Sequence, residues 1–89
     1  MQDRYLEITF RKGKPVAAYL YLSRTIQAKS AQTREVAPGL VADYDENGSP
    51  IGLEITAPSQ VTISEINNAL HLLHQLPMPE NELLPLKAA

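Results

Sequence analysis

The spacing of apolar and polar positions divides the chain into strand-like and helix-like stretches. Leu40–Ile55, LVADYDENGSPIGLEI, holds two short runs of alternating apolar residues on either side of Asp45-Glu46-Asn47-Gly48. Asn-Gly between such runs signals a hairpin, because both residues tolerate the positive φ that a tight reversal needs. A four-residue loop, Asp45 to Gly48 with Gly48 left-handed, sets Tyr44 opposite Ser49 and Ala42 opposite Ile51. Leu40, Ala42 and Tyr44 then share a face with Ile51, Leu53 and Ile55, while Val41, Asp43, Gly52 and Glu54 take the other. A three-residue loop would put Asp43 among Ile51, Leu53 and Ile55. A carboxylate facing a core is costly unless paired, so the four-residue loop is the expected one.

The flanking segments alternate in the same way. Leu6, Ile8 and Phe10 fall on one side of Tyr5–Phe10, and Tyr5, Glu7 and Thr9 on the other. Arg11-Lys12-Gly13-Lys14-Pro15 is a turn, and Val16–Leu22 a second strand with Val16, Ala18, Leu20 and Leu22 on its more apolar side. Ser23–Arg34 shows no clear period, though a short edge strand around Thr33–Val36 fits before the Pro38-Gly39 turn.

After Ala57-Pro58-Ser59 the period changes. Thr62-Ile63-Ser64-Glu65 has the form of a capping box, with Val61 and Ile66 placed as a hydrophobic staple. Ile63, Ile66, Ala69, Leu70, Leu73 and Leu76 follow on one face at helical spacing, and Pro77 stops the helix. The rod is about 20 Å long at 1.5 Å per residue, enough to lie across four strands. In the tail PMPENELLPLKAA, Leu83, Leu84 and Leu86 can dock on the domain or on a second copy.

The expected fold is therefore α+β: an antiparallel four- to five-stranded sheet with one C-terminal helix packed on one face. The expected layout is a single domain, 1–89, with the sheet in 4–56, the helix in 62–76 and a proline-rich tail in 77–89.

Composition narrows the function classes. In an 89-residue chain the core is modest, and oligomerisation is a common way to add burial. With no cysteine there is no disulfide framework, thiolate nucleophile or cysteine-zinc site. No apolar run reaches the ~18 residues of a membrane span, and MQDRYLEITF lacks the build of a signal peptide. A cytoplasmic location is the expectation, with no membrane partner.

The net charge of −2 argues against a free nucleic-acid binder. The charges are unevenly spread, however. Seven of the eight basic residues lie in the first 34 positions, and eight of the ten acids follow them. A mixed solvated surface and a basic patch for an anionic partner are the two readings of that asymmetry.

Candidate chemistry is sparse. Asp43-x-Asp45-x-Asn47-Gly48, then five residues and Glu54, satisfies the letters of a calcium loop. That loop needs a helix on each side to converge its oxygens, whereas LVADY and IGLEI are strand-like. A turn in which Asp and Asn oxygens bond their own backbone is the better reading, and no metal is expected there. His71 and His74 stand a turn apart with Asn67 a turn before, but a third ligand has no signpost. No G-x-S-x-G elbow and no phosphate-cradling glycine run is present.

The helix covers one face of the sheet. The other gathers Tyr5, Glu7, Tyr19, Tyr21, Asp43 and Glu54. Tyr19, Tyr21, Asp43 and Glu54 are the candidate ligand-binding residues; paired carboxylates can also divide acid and base roles. Tyrosine is equally suited to a subunit interface, because its ring buries area while its hydroxyl stays satisfied. No catalytic residue and no cofactor is assigned.

Thr33-Arg34-Glu35-Val36-Ala37-Pro38-Gly39 through Gly48, then Ile51-Gly52-Leu53-Glu54-Ile55, resembles a family of very small prokaryotic proteins known only as a domain of unknown function. Tyr19-Leu20-Tyr21-Leu22 resembles its preceding strand, so that the likeness spans residues 4–57. Arg11-Lys12-Gly13-Lys14 departs from the family's Asp-rich turn, and the helix and tail extend past its usual end. The resemblance implies a fold and no catalytic residue. Because some relatives sit beside small toxin-like proteins, it also implies an antitoxin-like partner role. The expected function is a non-enzymatic interaction module whose partner is a second copy (a homodimer) or another small protein. A small ligand- or metal-binding protein is the alternative.

Overall fold

The computed structural model describes residues 4–22 and 29–87. Residues 23–28, most of the aperiodic stretch before Thr33, lie outside them. Five strands, β1 (Tyr5–Arg11), β2 (Lys14–Tyr21), β3 (Gln32–Ala37), β4 (Leu40–Tyr44) and β5 (Pro50–Ile55), form one antiparallel sheet in the order β1-β2-β5-β4-β3. The helix α1 (Ile63–Leu72) packs on one face, so the fold is α+β as the periodicity predicts.

The turns follow from local chemistry. Between β1 and β2, Lys12 and Gly13 both take positive φ, 54° and 79°, which gives a two-residue hairpin whose twist matches the strands. Val16 is the extra residue of a bulge that lets Thr9 pair with Ala17 and Phe10 with Pro15.

In the central hairpin the expected loop length is corrected. Asp45 and Ser49 close the ladder through Asp45 N–H to the Ser49 carbonyl at 2.9 Å, leaving the three residues Glu46, Asn47 and Gly48 as the loop. The Gly48 amide donates to the Asp45 carbonyl at 3.0 Å, and Gly48 carries φ 83°. A type I turn ending in a left-handed residue is the usual three-residue solution. That loop would aim Asp43 at the core, and the chain escapes through a bulge. Tyr44 pairs with Pro50, but Asp43 pairs with Gly52, so Ile51 is skipped and Asp43 returns to the outer face. Ala42 pairs with Leu53 rather than with Ile51. The faces come out nearly as the cost of burying a carboxylate requires, by a different register.

Thr62 caps α1. Its hydroxyl accepts the Glu65 amide at 3.0 Å, and the Glu65 carboxylate accepts the Thr62 amide at 2.8 Å. The helix ends at Leu72, short of the expected Leu76. His74 turns left-handed at φ 60°, its amide bonds the His71 carbonyl at 3.0 Å, and the Gln75 amide bonds that of Leu70 at 2.8 Å. This is a Schellman closure with histidine where glycine is common. Leu76, expected on the apolar face, is consequently exposed.

The tail folds back as a helical turn, α2 (Glu80–Leu83), and a 3₁₀ turn (Leu84–Lys87). Leu83 and Leu86 are buried and Leu84 is exposed. The Asn67 side chain grips the Met78 backbone at both its amide (2.8 Å) and its carbonyl (3.2 Å). Lys87 Nζ donates to the carbonyls of Pro58 and Val61, and Arg4 donates to that of Leu76.

The core lies between these pieces and the sheet. Leu20, Leu40, Leu53 and Ile55 from the strands meet Ile66 and Leu70 from α1 and Leu83 and Leu86 from the tail, all essentially inaccessible to water. Each such side chain contributes roughly 1.5–3 kcal/mol relative to exposure.

Candidate functional site

The opposite face carries no covering element among the described residues. Strand alternation places Tyr5 and Glu7 of β1, Tyr19 and Tyr21 of β2, Asp43 of β4 and Gly52 and Glu54 of β5 there. Registers set the neighbours: Tyr5 pairs with Tyr21, Glu7 with Tyr19, Tyr19 with Glu54, and Tyr21 with Gly52.

The tyrosines form one aromatic group. The Tyr5 and Tyr21 rings stack with centroids 4.5 Å apart and planes 16° from parallel. Tyr19 meets Tyr21 edge to face at 4.7 Å and 65°. Both arrangements suit ring quadrupoles, and such pairs are worth about 0.5–1.5 kcal/mol beyond their area.

Their hydroxyls are anchored in opposite directions. Tyr21 donates to Glu7 Oε1 at 3.0 Å. Tyr19 reaches across β5 and donates to Asp43 Oδ2 at 2.7 Å. The other oxygen, Oδ1, accepts from the Thr33 hydroxyl of β3 at 2.7 Å and from Ser30 at 3.3 Å.

What lets Tyr19 cross is Gly52. A Cβ at Gly52 would fall within the Tyr19 ring and on its hydroxyl, so the ring lies directly on the glycine backbone. An isolated glycine inside a strand is the sequence mark of such a close approach. Gly52 and Thr33 belong to the site although neither was among the expected ligand-binding residues. The glycine could have been read from its position. Thr33 could not, because its alignment with Asp43 depends on a bulge between Glu35 and Ala37.

Of the four expected residues, the structure brings Tyr19, Tyr21 and Asp43 into one bonded cluster. Glu54 sits beside Tyr19 by register and is exposed. The Tyr19 phenol is pushed well above its ordinary value, first by burial, then by its bond to Asp43 and by the nearby negative charge. Tyr21 is raised chiefly by its bond to Glu7. Both shifts move the phenols away from proton transfer near neutral pH.

The calcium-like letters are used otherwise. Asp45 Oδ1 accepts the amides of Asn47 and Ser49, each at 2.9 Å, which makes it a turn residue. Asp43 serves Tyr19 and Thr33, and Glu54 stands on the neighbouring strand. Among the described residues no three His, Asp or Glu side chains gather as a metal site. His71 and His74 are both exposed at the end of α1.

Among the described residues, depressions lie away from the four expected residues. One, of about 220 Å³, is lined by Arg4, Leu76, Pro77, Met78, Pro79 and Glu82. Another, of about 210 Å³, is lined by Gln32, Arg34, Tyr44 and Gly48, with the Arg34 guanidinium 6.0 Å from the Tyr44 ring centre. Among the described residues no helix is long and apolar enough to cross a membrane.

A small antiparallel sheet with one α-helical face and one tyrosine–carboxylate face is thus the class of protein defined by the fold. Residues 17–58, from β2 through β5 and just beyond, match the model of a family described as Protein of unknown function (DUF2283). The matched span begins after β1, so the β1 strand and its Arg11–Lys14 turn, together with α1 and the tail, lie outside it. No curated protein and no solved structure matches the chain.

Proposed function

We infer that the protein is a non-enzymatic protein–protein interaction module that works as a homodimer. The observation that carries this reading is the state of the tyrosine–carboxylate face. Its polar groups, the exposed Glu54 apart, already serve one another: Asp43 accepts from Tyr19, Thr33 and Ser30, and Glu7 accepts from Tyr21. Outward this face offers ring surface, with Tyr5 about half exposed, beside the exposed Glu7 and Glu54 side chains. Pre-positioned tyrosines present contact area at little entropic cost, which is why they are frequent at interfaces. A catalytic carboxylate needs a free lone pair aimed at substrate and a pKa partner pushed the other way. Asp43 and Tyr19 are instead bonded to each other. Another small protein, in an antitoxin-like arrangement, fits the same face, as the family resemblance suggests.

The test is the solution mass by light scattering, with Asp43→Asn and Glu54→Gln beside the unaltered chain. A dimeric mass in all three, each with cooperative melting, supports the interaction reading. A monomeric unaltered chain at every concentration overturns the homodimer. Loss of a detected small ligand in either folded variant would favour a ligand-binding protein built on Tyr19, Tyr21, Asp43 and Glu54.

A further inference from the structure

The sheet has two edges, and they differ. On β3 the outer strand itself is bulged at Val36, and the Pro38-Gly39 turn follows directly. Bulges and nearby prolines are how natural sheets blunt an edge. On β1 the bulge belongs to the inner partner, β2, so the outer strand runs unbroken for seven residues from Tyr5 to Arg11 without proline. Among the described residues β1 has a neighbour on one side only. At its far end Phe10 is 51% exposed and Val16 beside the bulge is 42% exposed.

The sequence of this edge is self-complementary. Laid antiparallel on a second copy about Thr9, each Thr9 faces the other, Ile8 faces Phe10, and Glu7 faces Arg11. All odd positions then stay on the tyrosine face and all even positions on the core face, because side chains alternate with period two. The exposed Phe10 ring gains Ile8 of the second copy, extending the apolar layer across the seam. On the other face two opposite-charge pairs form, Glu7 with Arg11 and the reverse. Their main effect is to choose the register, since a one-residue slip would mix the two faces.

Resting on the homodimer reading above, we propose that β1 is the dimer seam: two copies pair edge to edge, centred on Thr9, into one continuous ten-stranded sheet. Both α1 helices then lie on the same side, and both tyrosine faces lie side by side on the other. The dimer doubles the tyrosine surface and draws only the Glu7 carboxylates at its margin into the seam. It also closes the edge most open to unwanted strand pairing.

The test exploits the lack of cysteine in the chain. Directly opposed residues in antiparallel strands have Cα atoms about 4.5–5.5 Å apart, within the range that a disulfide bridges. Thr9→Cys should therefore oxidise to a covalent dimer rapidly and nearly completely, while Gln32→Cys, on β3, should not. A second arm mixes two variants. Glu7→Lys alone and Arg11→Glu alone each oppose like charges and should run as monomers, whereas their mixture restores both pairs and should run as a heterodimer. If the unaltered chain is dimeric but Thr9→Cys fails to cross-link and neither charge variant shifts the mass, the seam is elsewhere and the homodimer stands. If the unaltered chain is monomeric throughout, both readings fall.

Discussion

The two faces of the sheet are built from the same five strands and do opposite things. The covered face is aliphatic, with Leu20, Leu40, Leu53 and Ile55 sealed beneath α1 and the tail. The uncovered face is aromatic and acidic, and directed bonds fix its geometry: ring on ring, hydroxyl on carboxylate, Tyr19 on the bare backbone of Gly52. One face gains from removing surface from water. The other holds surface in water in a set shape. The contrast teaches that aliphatic burial and directed polar bonding lie on separate sides of one sheet, so each can be perturbed with little change in the other.

The largest effect should come from the covered side. Leu53→Ala should cost roughly 2–5 kcal/mol, the usual range for a fully buried leucine, read as a lowered denaturation midpoint. Should it cost less than Gly52→Ala, the division of labour would be wrong.

Gly52→Ala comes next. The added methyl cannot coexist with the Tyr19 ring where it lies, so the ring must swing off and surrender Asp43. Overpacking of this kind costs about 1–3 kcal/mol. The signature that separates it from a general loss of stability is the early titration of Tyr19, visible in phenolate absorbance.

Tyr19→Phe should cost on the order of 1 kcal/mol, the net value of one hydrogen bond with some penalty for Asp43. It also bears on pH. The Tyr19 phenol is raised in the folded state, so the fold holds its proton more tightly than the unfolded chain does. That contribution is fully present below the unfolded value of about 10 and is lost as pH climbs through the folded value. Stability of the unaltered chain should therefore fall off above about pH 10, and Tyr19→Phe should flatten part of that decline in urea melts. A decline of the same size in both would remove Tyr19 as its source.

Smallest of all, Glu54→Gln should stay within about 0.5 kcal/mol of the unaltered chain, as exposed substitutions usually do. A larger loss in a thermal melt would mean that Glu54 bears on the cluster more tightly than its exposed position indicates.

Much of the fold was written in local chemistry. Thr62 and Glu65 bond each other as their spacing requires, and the alternation of Tyr5–Phe10 and Val16–Leu22 gives two strands with little ambiguity. The failures share a cause. The hairpin loop and the end of α1 each turn on one residue doing something its type rarely does. Ile51 is skipped in a bulge, and His74 takes a left-handed conformation more often given to glycine. Tertiary packing decides such events, and the local sequence carries little trace of them. The site was half legible for the same reason. Alternation brings Tyr19, Tyr21, Asp43 and Glu54 to one face, but which hydroxyl meets which carboxylate depends on where the bulges fall.

The assembly of the chain is the claim on which the functional account depends, and a dilution series of solution mass tests it most directly. The account predicts a mass near twice 9.8 kDa that declines toward the single chain only at the lowest concentrations. A mass of one chain throughout, at concentrations well above those in a cell, would contradict it.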